Sequence, residues 1–161
     1  MAKAKKSKSG NGANNQDIIR ELCVAYAMEL ETVQNYIANS VQLDGVRSEV
    51  IKKALAADIP TELMHAQLLA QRIKTIGGRV PGSMRNQRNQ DYLQPPEDST
   101  DVVRVIRGVI AAEQSAIDQY NKIIKLCEGR DYVTQDQIIE ILGGEEDHRR
   151  EFMGFLKEYQ N

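Results

Sequence analysis

Glu145-Glu146-Asp147-His148 and its earlier counterpart Glu62-Leu63-Met64-His65 decide the fold of this 161-residue chain. Each sets a carboxylate and an imidazole three residues apart, so on a helix both side chains leave one face a turn apart. Each is preceded by a lone glutamate with a tyrosine seven residues after it: Glu29 and Tyr36 in the first half, Glu113 and Tyr120 in the second. Glu29 lies 33 residues before Glu62, and Glu113 lies 32 before Glu145. Midway stand Gly45 and Gly129, and glycine is the residue expected where a helix ends and the chain turns back. The spacing predicts two helical hairpins, each bringing three ligands to one level. Four carboxylates with one imidazole per metal suit iron or manganese better than zinc, which prefers tetrahedral nitrogen and sulfur sites. Four carboxylates also balance two divalent cations, which makes burying the cluster tolerable. His65 and His148 are the chain's two histidines, and both close the same motif.

A glutamate from each of two helices, plus Glu-x-x-His from two others, resembles the ferritin-like carboxylate proteins. The resemblance covers roughly residues 17 to 159 and is greatest to the bacterioferritin branch. It implies an all-α, ferritin-like four-helix bundle with a long crossover between the second and third helices. By resemblance Glu29, Glu62 and His65 hold one metal and Glu113, Glu145 and His148 the other, with Glu62 and Glu145 as bridges. Two iron ions per chain are the expected cofactors, with manganese as the alternative. The implied activity is ferroxidase chemistry: Fe(II) binds in pairs, O₂ or peroxide takes the electrons, and Fe(III) is stored or released. Two rivals stand beside it: a di-iron or di-manganese oxidase, peroxidase or catalase acting on a separate substrate, and a DNA-associated protective shell. Tyr36 and Tyr120 fit hydrogen-bond donors to the metal-holding residues, one-electron donors or plain core equally well. Two departures from bacterioferritin matter. Its haem-ligating methionine directly follows the first motif's glutamate, where this chain has Leu63, so haem is not expected. The chain ends thirteen residues after His148, too soon for the short fifth helix of 24-subunit cages. A homo-oligomer is expected, as a dimer or a smaller hollow shell.

Composition agrees with a single helical domain over residues 17–161: four prolines, two phenylalanines, no tryptophan and 27% charged residues. No run of 18 apolar residues spans a membrane, and the start lacks the apolar core of a signal peptide. Two distant cysteines, Cys23 and Cys127, form no disulfide framework and are expected as free thiols, so a reducing cytoplasm is the expected location. Residues 1–16 hold Lys3, Lys5, Lys6 and Lys8 and no acid. They read as a flexible tail, either a solvated end or a polycationic arm for non-specific DNA contact of the kind Dps-family mini-ferritins carry.

The first helix is expected from Asp17, as N-cap, to about Val41. Glu29 lies in its apolar stripe, whereas Glu31, about 200° around the helix, is expected to face solvent. The second runs from about Ser48 to Ile76, where Gly77-Gly78 stops it, with Pro60 either kinking it or splitting it in two. Residues 77–98 are a polar crossover, with Arg79, Arg85 and Arg88 a solvated basic patch. About 22 residues extend to ~70 Å, enough to return along a helix of ~40 Å. Ser99 or Thr100 is expected to cap the third helix, and Thr134 or Asp136 to start the fourth. Gly143-Gly144 precedes the second ligand pair, where small residues would let helices or metals approach closely.

Overall fold

The structure, a computed structural model, describes residues 15–85 and 88–159. Four helices occupy most of them: α1 (Gln16–Gln42), α2 (Glu49–Thr75), α3 (Val102–Cys127) and α4 (Tyr132–Tyr159). No strand occurs among the described residues. The Lys3, Lys5, Lys6 and Lys8 arm lies outside them. Asn15 is already the N-cap position of α1, so the helix begins slightly before the expected Asp17. Asp17 instead pairs with Arg130 at 2.8 Å, tying the start of α1 to the α3–α4 turn.

The two expected hairpins form. Gly45 (φ 92°) and Gly129 (φ 67°) take the left-handed backbone that reverses the chain after α1 and after α3, a conformation that costs other residues a Cβ clash. Within the bundle α1 packs on α2, α3 on α4, and α1 on α3. Pro60 lies inside one unbroken α2. Caps differ by a few residues from expectation. Asp101 caps α3, its carboxylate accepting from the Arg104 N–H at 3.1 Å, and α4 starts at Tyr132 with Asp131 accepting from the Thr134 N–H.

The crossover returns along α1 through two short 3₁₀ turns, Ser83–Arg85 and Asp91–Leu93. Here one expectation fails: Glu31 is buried, 6% exposed. Its carboxylate accepts from the backbone N–H groups of Asn89 (2.9 Å) and Gln90 (3.1 Å). The crossover covers the second polar face of α1, so a charge turned away from the bundle centre is still enclosed. Gln90 donates to Thr32 and accepts from Asn35, and Asn39 donates to the Leu93 carbonyl. Gly108 admits the returning loop, since a Cβ there would lie 2.6 Å from the Tyr92 carbonyl. Arg79, Arg85 and Arg88 are exposed, as expected.

The apolar core is divided in two. Ile18, Leu22, Leu69, Ile73, Ile123 and Ile138 belong to one half, and Leu43, Ile51, Leu55, Ile106, Val109 and Phe152 to the other. Each half closes the bundle against water on one side of Glu29, Glu62, Glu113 and Glu145, all buried.

Candidate metal centre

α1 and α3 each supply one glutamate to the site, and α2 and α4 each supply a glutamate and a histidine. Glu29 on α1, Glu62 and His65 on α2, Glu113 on α3, and Glu145 and His148 on α4 converge on one level. Their donor atoms form two groups, each within 4.8 Å of one another. Glu29, Glu62, His65 and Glu145 make the first, and Glu62, Glu113, Glu145 and His148 the second. Glu62 and Glu145 belong to both. All six residues expected from the sequence are therefore brought together, while neighbouring Glu146 and Asp147 are exposed.

The contacts cross between motifs. His65 Nδ1 lies 2.9 Å from Glu145 Oε1, and His148 Nδ1 lies 3.2 Å from Glu62 Oε1. Neither approach is directed as a hydrogen bond. His65 Nδ1, His148 Nδ1, Glu62 Oε1 and Glu145 Oε1 are all buried without a hydrogen-bond partner. Four orphaned polar atoms in one cluster are costly unless something completes them, and lone pairs aimed at common points suit cations. The donor set thus fits two divalent metal ions of oxygen-preferring type.

Tyr36 and Tyr120 are fully buried, and each bonds across the bundle. The Tyr36 hydroxyl on α1 donates to Glu113 on α3, and the Tyr120 hydroxyl on α3 donates to Glu29 on α1. In the sequence each tyrosine stands seven residues after the glutamate on its own helix, yet it bonds the glutamate on the other. The exchange follows from α1 and α3 lying side by side. Burial, and then the two facing glutamates, push both phenols well above their usual range.

Electrostatics separate the four carboxylates. Burial raises Glu29 well above the usual range, and Glu62 adds to it. Burial and the charges of Glu29 and Glu62 do the same for Glu145. Glu113 is raised to about 7, chiefly by burial. Glu62 goes the other way, to about 2, because His148 and His65 outweigh its burial. His148 is raised to about 9, chiefly by Glu62.

Asp58, which sequence reading passed over, stands one turn before Glu62 on α2. Its Oδ1 lies 3.9 Å from His148 Nε2, its Oδ2 is buried without a partner, and burial raises it to about 6. An acid four residues before a ligand, on the same helix face, was the available signal. Gly144 lies against the other imidazole: a Cβ there would sit 3.7 Å from His65 Cε1, an ordinary contact. Space at this point would therefore admit alanine.

The sequence profile of the ferritin-like domain matches residues 19–161. The chain belongs to the ferritin-like family. Within that family it is 26% identical over 150 residues to the DNA protection during starvation protein of Pyrococcus furiosus, covering 90% of this chain and 80% of that one. Ferritin-like folds among solved structures superpose well. The bacterioferritin of Desulfovibrio desulfuricans, which has a diiron site, gives a TM-score of 0.78 at 21% identity, over 96% of this chain and 86% of that one. A dodecameric thioferritin of Bacteroides fragilis gives 0.79 at 22%, over 90% and 87%. A ferritin-like diiron-carboxylate protein of Bacillus anthracis gives 0.78 at 21%, over 89% and 97%.

Proposed function

We propose that this ferritin-like protein is a di-iron ferroxidase, oxidising Fe(II) in pairs for storage or detoxification. The observation that carries the reading is the sharing of Glu62 and Glu145 between two buried donor groups. Glu62 and Glu145 would be the residues held in common by the two ions. Glu29 with His65, and Glu113 with His148, act as the terminal ligands. Iron, as the bound substrate pair, supplies the electrons that reduce O₂ or peroxide. Before loading, burial and mutual repulsion favour the protonated forms of Glu29, Glu113 and Glu145. They release those protons on loading, and their full negative charge stabilises ferric more than ferrous iron, driving electrons to the oxidant. Tyr36 and Tyr120 each hold one carboxylate by a hydroxyl bond and so fix its orientation. A cavity of about 730 Å³ lies between α1 and the crossover, and none of the six ligand residues lines it.

Stopped-flow absorbance tests the reading, after anaerobic loading of two Fe(II) per chain and mixing with O₂ or peroxide. Wild type should oxidise iron far faster than buffer, while Glu62→Ala and Glu145→Ala should abolish the fast phase. Wild type no faster than buffer with either oxidant would sink the ferroxidase reading. Free Cys23 and Cys127 accord with a reducing cytoplasm, and the dodecameric relative with a homo-oligomeric shell. The relative named for DNA protection supports a second role for the lysine arm. Deleting residues 1–14 should then abolish retardation of DNA and leave iron oxidation unchanged.

A further inference from the structure

The two imidazoles share a motif but not their surroundings. Both turn Nδ1 toward the glutamates, so Nε2 of each points away. Beside His65 Nε2 lies the Gly144 stretch of α4, and among the described residues the acids in ion-pair range of His65 all face its Nδ1. Behind His148 stands Asp58, its Oδ1 3.9 Å from Nε2 and its Oδ2 buried and unpartnered. A carboxylate without a protein partner in a half-buried position is costly. Among the described residues, His148 is the one group in ion-pair range of Asp58. The gap is longer than a hydrogen bond, and a side-chain rotation or one bridging water spans it.

We infer that Asp58 is a positioning residue for His148: its carboxylate accepts a hydrogen bond from the Nε2–H and so holds the Nδ1 lone pair toward Glu62 and Glu145. The inference rests on the di-metal reading above. An imidazole that binds metal through one nitrogen needs its proton on the other, and an acceptor there fixes both tautomer and ring angle. Asp58 lies on the same helix as Glu62, one turn away, so α2 supplies both a bridge and the brace for the ligand opposite. Among the described residues no acid stands in the same place behind His65. The two metal positions are therefore unequal, and the His148 position depends on a residue that the His65 position does not use.

Cobalt(II), which needs no oxidant, reports on this without iron turnover. Visible d–d absorption during titration of the full chain should show two ions bound by wild type. Asp58→Ala should weaken one ion by about 10–100-fold, the usual cost of losing such a partner, and leave the other within a factor of about three. Asp58→Asn keeps an acceptor oxygen of the same shape and should recover most of that loss. Two cobalt ions bound by Asp58→Ala with wild-type affinity would overturn the inference. So would equal weakening of both ions, which marks a packing defect, or Asp58→Asn no better than Asp58→Ala. Failure of wild type to bind two ions would instead remove the di-metal reading beneath it, and shows before any variant is made.

Discussion

Glu31→Ala separates the structural role of one buried glutamate from the chemical role of another two residues away. The Glu31 carboxylate is the acceptor for two backbone N–H groups of the crossover. Removing it leaves the Gln90 N–H buried and unsatisfied, at about 1–3 kcal/mol. The Asn89 residue is exposed, so its N–H finds water and loses only about 0.5–1.5 kcal/mol. Together the loss is about 2–4 kcal/mol, and about 2–4 °C per kcal/mol for a domain of this size gives a Tm lowered by about 4–16 °C. Glu31→Gln retains an acceptor oxygen and should lose less. Calorimetry of metal-free protein measures the shift, and stopped-flow iron oxidation well below Tm measures the chemistry. Glu31→Ala should oxidise iron at close to the wild-type rate, whereas Glu29→Ala should not. An unchanged Tm, or a fast phase lost in Glu31→Ala while the protein is still folded, would refute the assignment of Glu31 to the crossover.

The crossed tyrosine bonds predict a pattern of coupling. In metal-free protein, Tyr36→Phe combined with Glu113→Gln should show non-additive stability of about 1 kcal/mol, and Tyr36→Phe combined with Glu29→Gln essentially none; the reverse pattern would restore same-helix pairing. Stability should also depend on pH in a definite direction once metal is removed. Glu113, raised to about 7, and Glu29 and Glu145, raised well above the usual range, add stability that is complete below the ordinary glutamate value and lost as pH rises through the folded value. His148, raised to about 9, adds stability complete below the ordinary histidine value and lost toward pH 9. Glu62, lowered to about 2, contributes above the ordinary glutamate value and is lost only as pH falls toward 2. The Tm of chelator-treated protein should therefore fall from about pH 5 to about pH 9, and a Tm rising across that interval contradicts the charge assignments.

Much of the bundle is legible because its constraints are periodic. The six ligands sit on apolar stripes, and a buried carboxylate in a stripe is too costly to be incidental. Gly45 and Gly129 mark turns because only glycine readily takes their positive φ. What stayed hidden depends on contacts between distant segments. The Glu31 side chain is polar and off the stripe, and nothing in α1 itself says that residues 89 and 90 will cover it. The tyrosine exchange depends on α1 lying beside α3, which single-helix spacing does not encode. Asp58 gains meaning only once α4 places His148 against it. Helix caps moved by a few residues because several polar residues near each end, such as Asp98 through Asp101, compete for one role.

The most direct test of the paired site is anomalous diffraction at the iron edge, from crystals grown anaerobically with two Fe(II) per chain. Two peaks about 3.5–4 Å apart, both in contact with Glu62 and Glu145, with His65 at one and His148 at the other, are the expected result. A single peak, or iron bound away from Glu62 and Glu145, would contradict the account.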